Sequence, residues 1–220
     1  MNNRIRGVIG LGAALGLFLS GCSRSPAVEL PADPAERAAL CYSATLAQFA
    51  KDSGTTALTP DQLNQGTHFL LLDVSRSGIA EPDRVASLAA RGATLAGKLE
   101  SEGSAARYAE PCAEAFPETR AEAFKALPAD SLDTRIACFM LSSALLQMYA
   151  ASDMVPDERA GLYTMFNTRM NQRLTQEMQA RAEPSEAEFN ELTMRGLAQA
   201  VRLGPPTRVM DACIARYSAS

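Results

Sequence analysis

The sequence contains no tryptophan, a single histidine and few β-branched residues, and each shortage excludes something. Few β-branched residues beside many alanines disfavour a sheet and favour helices. The single histidine, His68, cannot build a His-rich metal site and has no evident nucleophile beside it, so we expect it on a helix surface or half-buried. No catalytic or phosphate-binding motif occurs, so the sequence predicts no enzyme, no cofactor and no metal site.

Long apolar runs are equally scarce. The only one, residues 7–19, is shorter than the roughly 20 residues that a helix needs to cross a hydrocarbon core, so no transmembrane helix is expected. Basic charge is in the minority, with 21 lysines and arginines against 25 acidic residues and a net charge of −4. Nucleic-acid-binding proteins usually present a basic face, so we expect no nucleic-acid partner.

Basic residues precede the apolar run, and small residues ending in a cysteine follow it. Arg4 and Arg6 precede it, and the residues Leu19-Ser20-Gly21-Cys22 follow it directly. A charged start, a short apolar centre and small residues before a cleavage site are typical of a signal peptide. Residues 1–22 resemble the bacterial lipoprotein signal, and residues 19–22 match its lipobox.

The resemblance implies that the chain is exported and cleaved before Cys22, which then carries acyl chains such as palmitate on its thiol and its amine. Several chains anchor a protein durably to a membrane, where one chain would not. Cleavage removes Arg4 and Arg6, so the mature chain has 19 basic and 25 acidic residues and a net charge of −6. In this class an aspartate directly after the lipidated cysteine directs retention in the inner membrane. The residue at this position is Ser23, so the outer membrane is favoured.

Four cysteines remain for the exported domain, and an oxidising compartment favours disulfides among them, in one of three pairings. A suspected internal repeat selects one pairing. Residues 38–50 (AALCYSATLAQFA) resemble 135–150 (RIACFMLSSALLQMYA), and residues 111–116 (PCAEAF) resemble 212–217 (ACIARY). If each half is one copy, opened and closed by a cysteine, the pairs are Cys41–Cys112 and Cys138–Cys213.

The sequence therefore predicts an all-α, disulfide-stapled helical bundle, made of two tandem copies of a four-helix unit that pack as one domain or as two. The expected order is signal peptide 1–21, tether 22–32, unit 33–116, connector 117–130 and unit 131–220. Proline, capping and glycine signals predict helices at 34–52, 60–77, 82–101, 105–115, 132–152, 157–182, 185–203 and 206–217, with a short connector helix within 117–126. Residues 136–149, apolar nearly all round, are predicted to be the most buried helix and the seam between the halves.

Two further features call for an explanation. Arg91-Gly92 and Arg195-Gly196 place glycine inside helices, at a cost of about 1 kcal/mol against alanine, which favours a close helix crossing over an anion-binding role for the arginines. Apart from Met1, every methionine lies in the second half. Methionine fills irregular cores and is over-used at adaptable binding surfaces. Core filling is the simpler interpretation, and the alternative is an apolar binding surface formed by Met140, Met148, Met165, Met170 and Met178.

Three functions fit these features. The first is a non-enzymatic, membrane-anchored lipoprotein that binds or scaffolds another envelope protein. The second is a periplasmic carrier or sensor of a small apolar ligand, held in an enclosed pocket among the methionine-rich helices. The third is an immunity or inhibitor protein that blocks a toxin or hydrolase, an analogy at the level of fold alone.

Overall fold

The computed structural model describes residues 28–78, 84–151, 158–179 and 185–218, and these are helical with no strand among them. The helices, in chain order, are α1 (Pro34–Ser53), α2 (Pro60–Ser77), α3 (Arg84–Glu102), α4 (Ala109–Ala115), α5 (Leu132–Ala150), α6 (Glu158–Gln179), α7 (Glu186–Arg202) and α8 (Pro206–Tyr217). Each lies within about two residues of a predicted helix, except that a 3₁₀ turn forms the first part of the predicted 105–115 segment. The signal peptide, most of the tether and the ends of three predicted helices, at residues 82–83, 152, 157 and 180–182, lie outside the described residues.

Local signals set the helix ends. Asp33 Oδ1 accepts a hydrogen bond from Glu36 N at 2.8 Å, which caps α1. Thr59 and Gln62 form a reciprocal capping box at the start of α2. Gly54 ends α1 at φ 68°, a left-handed conformation that residues with a side chain rarely adopt. These ends therefore follow from short sequence motifs, as predicted.

The connector is where the helix prediction was wrong. Residues 117–126 form two 3₁₀ turns, Pro117–Thr119 and Ala121–Ala123, and not one helix. Arg120 and Phe124 are extended, and Lys125 N donates to Leu203 O in the turn between α7 and α8 at 2.6 Å. The backbone thus hydrogen-bonds to the second half instead of continuing a helix.

Two disulfides join the first and last helices of each half. Cys41 in α1 bonds to Cys112 in α4, with Sγ atoms 2.02 Å apart, and Cys138 in α5 bonds to Cys213 in α8, with Sγ atoms 2.04 Å apart. All four cysteines are buried. These are the two pairs that the repeat selects, so each bridge closes within its own half.

One main core runs through both halves, and α2 lies at its centre. This helix packs on α1 on one side and mainly on α7 on the other, and thirteen of its residues are buried, against nine in α5. The prediction that α5 is the most buried helix and the seam was therefore wrong. The seam is formed chiefly by α2, which carries its own polar residues into the interior.

Gly92 and Gly196 lie at close helix crossings, as predicted. A Cβ built on Gly92 in α3 would lie 2.5 Å from Tyr42 Cδ1 in α1, and one on Gly196 in α7 would lie 2.8 Å from Ile136 Cγ2 in α5. Contacts this short cannot accommodate a methyl group. The third helix of each half therefore crosses the first helix of that half at a glycine.

We expect Gly92→Ala and Gly196→Ala each to lower the free energy of unfolding by about 2 kcal/mol, because overpacking a close contact costs about 1–3 kcal/mol. Gly97 in α3 and Gly161 in α6 are the matched controls, since a Cβ there meets nothing within 4 Å. Alanine at these two positions should stabilise by up to about 1 kcal/mol. Urea unfolding followed by circular dichroism measures all four, and equal changes at crossing and control positions would contradict the packing role.

Candidate functional site

The structure describes the five methionines of the predicted apolar surface but not the predicted lipid anchor. Cys22 lies outside the described residues. Of the five methionines, Met148 and Met170 are buried, Met140 and Met178 are partly buried, and Met165 is 57 % exposed. The small pocket of about 110 Å³ beside α6 is lined by Met170 alone of the five. Met148 and Met170 are thus core residues, and Met140 packs against the core.

Helix α6 is the element that presents apolar groups to solvent. Its inner side packs on α5 through four buried residues at steps of three and four: Tyr163, Phe166, Met170 and Leu174. Asn167 Nδ2 fixes this side by donating to the hydroxyls of Ser142 and Ser143 in α5, at 2.8 Å each. The helix is therefore held firmly on one side, and its opposite side is available.

The outer side of α6 exposes Met165 and Leu162 (39 %), one turn apart. From the sequence alone, both belong to an apolar stripe with Phe166, Met170, Leu174 and Met178, at steps of three and four that predict a side facing the core. Met165 directly precedes the buried Phe166, and Leu162 directly precedes the buried Tyr163. One residue corresponds to a rotation of about 100° around the helix axis, so both lie on a side turned away from α5. Among the residues that the structure describes, Phe189 in α7 is the other large apolar residue that is notably exposed, at 43 %.

Charge is sparse on this outer side. Most exposed residues of α6 are uncharged, and Glu158 and Arg169 are the charged exceptions in the described helix. The uncharged exposed residues are Gly161, Leu162, Thr164, Met165, Thr168, Asn171, Gln172, Thr175, Gln176 and Gln179. We call this set the α6 outer face. Depletion of charge is typical of the centre of a protein–protein interface.

His68 lies in the seam and not on a surface, which corrects the sequence-based expectation. It is 1 % exposed, and its Nε2 donates to Val201 O in α7 at 2.8 Å. Burial lowers the pKa of His68 to about 4, because a charged imidazolium would lose its hydration there. The ring is therefore a neutral hydrogen-bond donor that ties α2 to α7.

A chain of polar contacts crosses the seam beside His68. Tyr149 Oη in α5 donates to Asn64 Oδ1 in α2 at 2.8 Å, and Asn64 Nδ2 donates to Thr207 Oγ1 in α8 at 3.2 Å. Arg159 in α6 continues the chain through ion pairs with Asp61 and Asp211, at 3.1 and 2.7 Å. These contacts hold four helices together, and sequence patterns gave no sign of them because the partners are far apart along the chain.

Metal-ligand residues do not gather in the part of the chain that the structure describes. No group of three or more histidine, cysteine, aspartate or glutamate residues comes together among the described residues as a metal site. The buried phenol beside Arg159 is not a ready base, since burial raises the pKa of Tyr163 to about 12. None of the described helices combines the length and apolar character needed to cross a membrane.

Comparison with protein families, with curated proteins and with solved structures finds no match to this chain.

Proposed function

We propose that this protein is a membrane-anchored lipoprotein of the bacterial envelope, whose helical domain binds another envelope protein in a non-enzymatic, scaffolding role. The observation that supports the binding role most directly is the α6 outer face, where Leu162 and Met165 are exposed on a surface almost free of charge. The lipobox ending at Cys22 supports the anchor, and Ser23 favours the outer membrane.

The α6 outer face suits a partner with an apolar groove. Helices that bind in grooves use anchors spaced at three or four residues, as Leu162 and Met165 are. Complete burial of a leucine or methionine side chain contributes about 1.5–3 kcal/mol. Because Met165 has three rotatable bonds, it can adapt to the shape of the groove. The rigid attachment of α6 to α5 means that little of the helix must become ordered on binding.

Photocrosslinking in intact cells tests this role. With p-benzoylphenylalanine in place of Met165, we expect one dominant adduct with an envelope protein, because this side chain lies at the centre of the proposed interface. Mass spectrometry of the adduct identifies the partner. A toxin or a hydrolase in the adduct would support an immunity or inhibitor function instead of a scaffold.

Thr94, an exposed residue of α3, is the matched control position and should give no such adduct. Cys22→Ser, with residues 1–21 exchanged for a signal peptide whose cleavage does not need the cysteine, should release the protein from the membrane fraction. It should also reduce the adduct several-fold, because the anchor raises the local concentration near the partner. Equal adducts at Met165 and Thr94, or none at either, would contradict the α6 interface. Retention on membranes of the Cys22→Ser variant, once its signal peptide has been cleaved, would contradict the lipid anchor.

We also propose that the halves 33–116 and 131–220 are tandem copies of one four-helix unit. In each half a disulfide joins the first helix to the last, and the third helix crosses the first at a glycine. These parallels support a shared origin more strongly than similar composition does. The paired glycine substitutions test the shared geometry, since loss of stability at Gly92 but none at Gly196 would contradict it.

A further inference from the structure

The first half contains an apolar pocket. The pocket has a volume of about 180 Å³ and lies between α1 and the segment 105–113, beside the Cys41–Cys112 bridge, with Phe69 of α2 also lining it. Five alanines leave the space open: Ala44, Ala105, Ala106, Ala109 and Ala113. Apolar cavities of about 150 Å³ bind a molecule the size of benzene, so this one has room for a single substituted ring.

The sequence of the second half differs at the positions that match the lining of the pocket. Positions can be matched by counting from the disulfide cysteines, because the chain is helical over these stretches in both halves. Ala44 and Gln48 lie three and seven residues after Cys41, and Ala109 lies three residues before Cys112. The same offsets from Cys138 and Cys213 give the matching positions of the second half. Their counterparts are large and fully buried: Leu141, Leu145 and Met210. The small alanines at positions 44 and 109 are therefore particular to the first half.

Gln48 gives the pocket a specific chemistry. Its Nε2 donates to Asp52 Oδ1 at 2.7 Å, and a carboxylate can only accept there, so the orientation of the amide is fixed. Gln48 Oε1 has almost no accessible surface and no hydrogen-bond partner among the described residues, so a donor in the pocket reaches it once the Gln48 side chain shifts slightly. No residue that lines the pocket carries a charge. A neutral apolar molecule with one donor would complement both features.

We propose that this pocket is a binding site for a neutral, ring-sized apolar molecule that carries one hydroxyl or N–H donor, which Gln48 Oε1 accepts. The site is separate from the α6 outer face, so its occupation does not depend on the partner-binding role. It also differs from the pocket expected among the methionine-rich helices, because it lies in the other half of the chain.

Phenol and toluene are suitable probes, since they have the same shape and only phenol is a donor. The mature chain, residues 22–220 with Cys22→Ser, carries neither lipid nor signal peptide and needs no detergent, and alanine-methyl NMR reports directly on Ala44 and Ala105. Both probes should shift these methyl signals saturably. In Gln48→Met, which has a similar length but no amide, the ratio of phenol affinity to toluene affinity should fall about tenfold, because only phenol loses a hydrogen bond.

A second experiment fills the pocket. Ala109→Met introduces the residue type found at Met210, the matching position of the second half, at the exposed edge of the pocket. It should abolish binding of both probes, with the rest of the methyl spectrum unchanged. Ala93→Met, at an exposed position of α3 outside the pocket, should leave binding intact. Absence of saturable shifts, or shifts that persist in Ala109→Met, would overturn the site. An unchanged phenol-to-toluene ratio in Gln48→Met would overturn the role of Gln48.

Discussion

Replacing Cys41 and Cys112 together by alanine should lower the free energy of unfolding by about 4 kcal/mol. The bridge closes a loop of 71 residues, and a loop of that length restricts the unfolded chain by about this amount in the chain-entropy account. The double replacement avoids an unpaired thiol that could form wrong bridges. Urea unfolding at neutral pH, followed by far-UV circular dichroism, gives the change directly.

The second bridge is the matched comparison. Cys138 and Cys213 close a loop of 75 residues, so their replacement should cost nearly the same, because the entropy depends only on the logarithm of loop length. A loss of less than about 1 kcal/mol for either pair would show that the unfolded chain is not restricted as expected. A large difference between the two pairs would mean that local packing around the cysteines, and not loop closure, determines their contribution.

Acidification should destabilise the wild-type protein more than a His68→Gln variant. In the unfolded chain the histidine has a pKa near 6.5, whereas burial lowers the pKa of His68 to about 4 in the fold. Below pH 6.5 the unfolded state therefore binds a proton that the folded state does not. The contribution of His68 to stability is full above pH 6.5 and is lost progressively as the pH falls towards 4.

The expected extra loss is about 2.5 kcal/mol between pH 7.5 and pH 4.5. Glutamine can still donate to Val201 O from a similar position but does not titrate, so carboxylate effects are shared by both proteins and cancel in the difference. Urea unfolding at several pH values measures the two curves. Parallel curves for wild type and His68→Gln would show that His68 is protonated, or reaches water, in the folded protein.

Helix limits were predictable because they depend on neighbours in the sequence. The Ser185 capping box with Glu188, for example, uses residues three positions apart, and a proline precedes it. The disulfide pairs were predictable for a related reason, since similar sequences surround corresponding cysteines in each half. Signals of this kind need no knowledge of the tertiary structure.

Burial was less predictable, because it depends on partners far along the chain. Asn64, Thr67 and His68 are polar, so periodicity assigns them to a solvated face, yet all three are buried in α2. Asn64 is bonded by Tyr149 from 85 positions away, and His68 finds Val201 at 133 positions. In α6 the opposite error arose, since Leu162 and Met165 read as core residues in a helix whose second side has no described helix packed closely on it.

The placement of the two bridges also determines how the protein responds to mechanical force. A pull applied between the two ends of the chain bypasses the loops 41–112 and 138–213, because tension passes through each disulfide. Each bridge thereby withholds roughly 250 Å of extended chain, at about 3.5 Å per residue. Between the bridges only the connector and the flanking ends of α4 and α5 can lengthen. Under load the molecule would extend by a short, defined length and then resist as a covalent tether.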